Sequence, residues 1–363
     1  MTATDPPAAA SDAPFVFTVG VPASADEPDL AATLASIRTS ADGAGVRYEI
    51  IVAVNGPAEP APALDGARAF ARAAGIRLIE QEMAPTGEPL EIPIDAAGRA
   101  ADRRGGVPRD RDVVEEQRGR SGSALTAASV MRVLRLAVRS KVAAWNAIRA
   151  AARAPIIVFT DADVRLAPDA IGLLVARLDA EPALTAAAGR EVAALAAGDG
   201  LAARVAALPH RFDFGNVPGR LYALRSAALP EPMPAHVLHE DAYLSVRLGR
   251  AHFAKVPAAR VYLRPPTTWR DYLRQRVRNE LGKQQLAVDF PELLRAHDFG
   301  GYPWRAFVRN IDVREYPLVL LVLATRVYAR VRARRERRGG FARGWQPLAS
   351  TKAWSGGPAA TRR

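Results

Sequence analysis

Ile156-Ile157-Val158-Phe159-Thr160-Asp161-Ala162-Asp163 runs four apolar residues through a threonine into two aspartates spaced i, i+2. A short apolar run rich in branched and aromatic side chains reads as a strand buried on both faces of a parallel sheet. In open α/β sheets the ligand crevice lies beyond the carboxyl ends of the strands, which is where Asp161 and Asp163 fall. In extended backbone, side chains at i and i+2 point the same way. Two hard oxygen ligands facing one crevice suit Mg²⁺ or Mn²⁺ carrying a diphosphate. Taken alone the pair also fits a solvated strand end with turn-forming aspartates.

Working outward, residues 15–21 form an apolar strand that Pro22 is expected to stop, and 29–39 carries Leu30, Leu34 and Ile37 at helical spacing. A second strand, 48–54, ends at the turn pair Asn55-Gly56. Helix 64–74 and strand 76–79 follow, and the alternation predicts a doubly wound, mostly parallel α/β sheet flanked by helices. Residues 81–122 break the pattern with Pro, Gly and dense charge, and read as an inserted flexible loop. Residues 125–138 are apolar enough to return to the core, and fit helix and strand alike. Ser140 is a candidate N-cap for a helix over 141–152. Further helices are expected at 167–178, 241–248 and 267–288, with extended chain at 185–189, 219–224 and 256–263. Residues 1–13 read as a disordered N-terminus and 14–300 as one catalytic domain. Residues 301–340 read as a basic helical extension, and 341–363 as a flexible tail.

Composition narrows the function classes. Net charge is +12 over 363 residues, and the pI is near 10.6, so anionic partners are favoured: nucleic acid, acidic lipid or phosphorylated substrate. The absence of cysteine excludes disulfides, thiolate catalysis and Cys–zinc sites. His210, His236, His239, His252 and His297 show no zinc-binding spacing. There is no basic region followed by an apolar leader, and no apolar run long enough to span a bilayer. The expectation is a cytoplasmic protein able to touch the inner face of the cell membrane. The apolar run 318–324, followed by Arg326, Arg330, Arg332, Arg334, Arg335, Arg337 and Arg338, suits either an interfacial helix on anionic lipid or a core helix with a basic end.

Five features then fall in order. They are Val21-Pro22-Ala23 with Asp26 and Glu27; Asn55-Gly56; Lys141-Val142-Ala143-Ala144-Trp145-Asn146; Asp161-Ala162-Asp163; and His239-Glu240-Asp241, with Gln275-Arg276-Val277-Arg278-Asn279 downstream. The ordered set resembles the family 2 glycosyltransferases of the GT-A fold over about 15–80 and 131–290. Ser24 and Ala25 stand where that family carries Tyr-Asn, Asn55-Gly56 where many members carry acids, and Asn279 in place of a motif Trp.

The resemblance implies an inverting, divalent-metal-dependent transfer of one sugar from a nucleotide-diphosphate sugar, with UDP as the nucleotide, to an acceptor hydroxyl. Asp163 would ligate Mg²⁺ or Mn²⁺, and Asp161 would contact the ribose or the metal shell. Asp241 would be the general base, with Glu240 as the fallback. Pro22, Asn55, Lys141, Asn146, Gln275 and Arg278 would hold the donor, Arg278 as a planar fork over the diphosphate. Gln275 and Arg278, three apart on a helix, share a face. Asn146 could alternatively brace its loop. The basic C-terminal segment points to a lipid or lipid-linked glycan acceptor. Without channel helices and without the motif Trp, single-sugar transfer is expected rather than polymerisation. Three other readings stay open: a non-catalytic nucleotide-sugar-binding relative, a sugar nucleotidyltransferase, and a basic nucleic-acid-binding protein. The second lacks its Gly-rich loop after the first strand, and the third lacks a recognised motif, so no nucleic acid is expected as a partner.

Overall fold

Nine strands make one sheet in the order β3-β4-β2-β1-β5-β8-β7-β9-β6. The computed structural model describes residues 14–56, 61–83, 130–212, 217–229, 231–249, 252–296, 311–338, 349–351 and 354. The N-terminus 1–13, nearly all of the insertion 81–122, and most of the tail 341–363 lie outside these. In chain order the elements begin β1 (Phe17–Ser24), α1 (Leu30–Asp42), β2 (Tyr48–Asn55), α2 (Pro62–Ala74), β3 (Arg77–Met83) and β4 (Val130–Leu136). Then come α3 (Lys141–Ala151), β5 (Ile156–Thr160), β6 (Val164–Leu166), α4 (Ala170–Ala180), β7 (Ala186–Ala193) and α5 (Leu201–Ala207). The chain continues through β8 (Leu221–Arg225), α6 (Glu240–Leu248), β9 (Phe253–Leu263), α7 (Trp269–Asp289), α8 (Pro291–Ala296) and α9 (Tyr316–Arg337).

The quoted run is a strand buried along its whole length, and its period of two serves two cores. Ile156 and Val158 join the layer under α1, α2 and α4, built with Leu34, Ile37, Phe70 and Leu174. Ile157 and Phe159 face the other way, onto Trp145, Ile148, Tyr222 and Leu244. There Trp145 and Tyr222 both stack on Phe159, with ring centroids at 4.9 and 5.5 Å, and the Trp145 indole donates to the Tyr222 hydroxyl at 2.8 Å. Helix α3 rides close on β1: a Cβ at Gly20 would meet the Ile148 side chain at 2.5 Å, so any larger residue there would displace it. Ser140 caps α3 by accepting from the Ala143 amide at 3.1 Å. The ambiguous stretch resolves as β4, paired parallel to β2 and β3. A charged residue in central strand β2 is accounted for by its partners: Glu49 accepts from Thr18, the Arg132 guanidinium and the Arg153 amide at 2.8, 3.0 and 2.8 Å.

Two expectations are corrected. Strand β1 does not stop at Pro22 but continues in register with β2 to Ser24. Its pairing with β5 ends at Gly20, which leaves one edge of β1 with no ladder for a proline to interrupt. The aspartates do not share an extended strand either. Strand β5 ends at Thr160, and Asp161 to Asp163 turn away into β6.

The parallel run β3-β4-β2-β1-β5 gives way to antiparallel β8, which pairs β5 with Thr160 opposite Leu221. The residue preceding β8, Arg220, is thereby placed beside the carboxyl end of β5, where its carbonyl accepts from the Thr160 hydroxyl at 2.8 Å. On the far side of the sheet's end, α7 packs on α9. Among the described residues no helix is long and apolar enough to cross a membrane.

Candidate active site

A cleft opens over the carboxyl ends of β1, β2 and β5, as the doubly wound arrangement requires. Its wall takes Pro22, Ser24 and Glu27 from the end of β1, Asn55 from β2, Lys141 from the start of α3, and Asp161 to Asp163 from the turn after β5. Arg220, Leu263 and Arg264 come from the antiparallel half, Gln275 and Arg278 from α7, and Thr351 from the C-terminal segment. Of the residues singled out in the sequence, Pro22, Asn55, Lys141, Asp161, Asp163, Gln275 and Arg278 share this wall. Glu240, Asp241 and Asn146 do not line it.

Lys141 joins the two acidic motifs. Its ammonium is 2.7 Å from Asp161 Oδ1 and also forms a close ion pair with Glu240 Oε1. Burial works against the Lys141 charge, but Asp161 and Glu240 overturn that and hold its pKa well above the ordinary lysine value. Burial likewise pushes the Glu240 carboxyl up, and the Lys141 ammonium with His239 more than offsets it, leaving Glu240 below the usual range. Glu240 is therefore a committed anion.

Asp241 differs from its neighbour. Burial raises its pKa above the usual aspartate value; His239 pulls it down, and the adjacent Glu240 adds to the rise. Its Oδ1 accepts from the Ala242 amide at 2.7 Å and lies 3.1 Å from His239 Nε2. Backbone crowds it on one side: a Cβ at Gly219 would sit 2.8 Å from Asp241 Oδ2. Helix α7 approaches the same loop through Gly282, where a Cβ would meet that of His239 at 2.6 Å. Gln285, one turn along, donates to the His236 carbonyl at 2.7 Å and accepts from the Leu238 amide at 2.9 Å. The helix carrying Gln275 and Arg278 is thus fastened to the loop 236–239 that leads into Glu240 and Asp241 at the start of α6.

Arg220 was not marked in the sequence. It lies within the field of Asp161 and Asp163 and is paired with Glu191 at 3.1 Å; His210 Nδ1 stands 3.0 Å from the same carboxylate. Burial opposes the Arg220 charge, and Glu191, Asp161 and Asp163 together raise its pKa above the ordinary guanidinium value. Arg264 is held by a two-pronged pair with Asp199 at 2.7 and 3.0 Å. Arg278 keeps its charge although burial and the nearby Arg220 lower its pKa, with Glu240, Asp161 and Asp241 pulling the other way. Asn146 bonds the Met233 backbone in both directions, donating at 2.8 Å and accepting at 2.9 Å, which places it as a brace rather than a ligand contact. Trp145 belongs to the core, and Trp269 sits edge-on to Tyr272 at the start of α7.

The C-terminal segment returns to this cleft. Its Ser350 amide donates to Asp271 at 3.1 Å, Thr351 lines the wall, and the Trp354 indole donates to the Asp163 carbonyl at 3.2 Å. The same indole lies under the Arg165 guanidinium at 4.8 Å.

Among the described residues no group of three or more His, Asp or Glu side chains converges as a self-contained metal cage. A small divalent cation brought in with a diphosphate needs only one or two protein carboxylates, the phosphate oxygens and water completing its shell. Asp161 and Asp163 fit that donor set, with Asp161 already shared with Lys141.

Residues 123–199 match the family model described as Glycosyl transferase family 2. That stretch is similar to the family 2 glycosyltransferases. The matched stretch contains Lys141, Asn146, Asp161, Asp163 and Glu191, and leaves Asp241, Gln275 and Arg278 outside it. No curated protein sequence matches the chain. Among solved structures, the mannosyltransferase PcManGT from Pyrobaculum calidifontis in complex with GDP-Man and Mn²⁺ aligns over 93% of this chain and 79% of its own, at 17% identity and a TM-score of 0.48. TarS residues 1–349 of S. aureus, in complex with UDP-GlcNAc, aligns over 86% of this chain and 81% of its own, at 11% identity and a TM-score of 0.43.

Proposed function

We propose that this glycosyltransferase transfers one sugar, with inversion, from a nucleotide-diphosphate sugar to an acceptor hydroxyl, using UDP as the nucleotide and Mg²⁺ or Mn²⁺ as cofactor. The observation that carries the reading is the convergence of Lys141, Arg220 and Arg278 on the turn bearing Asp161 and Asp163, with Glu240 tied to the same ammonium. Cations gathered in a partly enclosed cleft suit a diphosphate, whose negative charge grows as its bond to the sugar breaks. Asp163 and Asp161 would hold the divalent ion, which when bound supplies Lewis-acid stabilisation of that charge.

In this reading the acceptor oxygen attacks the anomeric carbon while the bond from that carbon to the diphosphate oxygen breaks. The bonding pair leaves with the diphosphate, and Asp241 takes the acceptor proton. A carboxylate whose pKa burial has raised is a better proton acceptor than a solvated one. Arg278 and Arg220 stabilise the departing diphosphate. Gln275, beside Arg278, orients it, and Pro22 and Asn55 meet the nucleoside at the ends of β1 and β2. With one base and no second carboxylate placed as nucleophile, the displacement is single and configuration inverts. The acceptor is a lipid or lipid-linked glycan presented at the cytoplasmic face of the membrane, a reading supported by the basic C-terminal helix.

Isothermal calorimetry with UDP, run with and without Mn²⁺, tests the donor half. Binding that tightens with the metal is expected. Equal affinity in both conditions, or no binding in either, would count against a metal-carried diphosphate.

A further inference from the structure

The outward side of α9 is apolar where a solvent-facing helix should be polar. Leu318, Val319, Val322, Thr325, Ala329 and Ala333 are buried, and the inner side meets α7 and α5. At 3.6 residues per turn, Tyr316, Leu320, Val327 and Val331 fall on the opposite side. All four are exposed, Leu320 and Val327 by 67% and 65% of their surface, with Tyr328 beside them at 49%. Arginines edge this stripe: Arg330, paired with Glu280 at 3.5 Å, along one flank; Arg332, paired with Glu336 at 2.9 Å, and Arg335 along the other; and Arg334 and Arg338 continue it past Val331. A continuous apolar stripe of this kind marks a contact surface.

We infer that this face of α9 docks on an anionic lipid bilayer, lying in the plane of the headgroups with Leu320 and Val327 directed into the acyl boundary. Charge decides between occupants. A second copy of the chain would set one arginine-edged stripe against another in a protein of net charge +12, whereas acidic headgroups neutralise both flanks. Long arginine stems cover apolar surface while their heads reach phosphate, which suits side chains flanking a shallowly inserted stripe. The inference rests on the proposed membrane-side acceptor for its purpose, but its geometry is independent of the transfer chemistry.

Sedimentation of the full chain with vesicles tests it. The protein is expected to pellet with phosphatidylcholine–phosphatidylglycerol vesicles, to stay in solution with phosphatidylcholine alone, and to release as salt rises. Leu320→Glu with Val327→Glu should weaken that partition by roughly tenfold or more while leaving the melting temperature and UDP binding unchanged. Arg334→Ser and Arg335→Ser should each weaken it by about fivefold. The inference is overturned if the wild-type chain ignores acidic vesicles, if the Glu variant pellets as well as wild type, or if ultracentrifugation shows a vesicle-free dimer that the Glu variant dissociates. Vesicle binding without UDP binding would sink the transferase reading alone, and UDP binding without vesicle binding would sink the docking alone.

Discussion

Lys141 Nζ lies 2.7 Å from Asp161 Oδ1 and also pairs with Glu240, so one ammonium holds two acidic motifs that are 79 residues apart in the chain. Both carboxylates depend on it. Lys141→Met would remove the cation shared by buried Glu240 and half-buried Asp161, and losing a charged partner of this kind costs about 2 kcal/mol. We expect a lower melting temperature and UDP affinity weakened by at least about tenfold, the equivalent of roughly 1.4 kcal/mol. Lys141→Arg, which keeps the charge, should restore part of both. Calorimetry beside thermal denaturation checks this; wild-type affinity in the Met variant would remove Lys141 from the donor site.

Asp241 is assigned as the base, and the pH profile tests that directly. Burial raises its pKa, with Glu240 adding to the rise against the opposing pull of His239, so transfer should increase with pH through a limb lying above the ordinary aspartate range. Asp241→Asn should abolish that limb and cut kcat by roughly 10² to 10⁴, the usual contribution of a positioned base, while donor affinity stays near wild type. An Asn variant that turns over normally would place the base elsewhere, with Glu240 the next residue to test.

Glu191 makes a stability prediction. Burial alone would raise its pKa, but Arg220 and His210 reverse this and bring it far below the ordinary value of 4.5. A carboxyl whose folded pKa is depressed stabilises the protein fully above the unfolded value, and that contribution fades as pH falls toward the folded one. Glu191→Gln should therefore lower stability at neutral pH by about 1–3 kcal/mol, since it weakens the pairing of Arg220 and leaves Asp161 and Asp163 as its remaining anionic neighbours. The gap to wild type should narrow as pH drops below 4.5. Urea denaturation across that range reads it out. A gap independent of pH would mean that the pair is not what holds Arg220.

The parallel half of the molecule was legible because each of its strands is a contiguous apolar run with turn residues after it. The aspartates and the Ser140 cap could be located from local pattern alone, and Lys141 through the ordered set of motifs that carries the family resemblance. Arg220 could not. It precedes a strand that runs antiparallel into the sheet, and a parallel reading expects site residues after strands, not before them. The one available signal was Gly219, a residue without a side chain next to an arginine, and its meaning depends on Asp241 lying against it in space. Glu191 and His210 were hidden too: Glu191 pairs with Arg220 and His210 only once β7, β8 and the turn after α5 are brought together in space. Within 125–138, the described strand β4 (Val130–Leu136) defeated periodicity because a strand buried on both faces shows no alternation. The return of the tail to the cleft left no mark in the sequence around Trp354.

That indole has a practical consequence. Trp354 is one of five tryptophans, and it sits against the carbonyl of Asp163 and under a guanidinium. Its emission depends on charge within a few ångströms, so the enzyme carries a built-in optical reporter at the mouth of its own cleft. Comparing wild-type fluorescence with that of Trp354→Phe would isolate its signal and allow site occupancy to be followed without a labelled ligand.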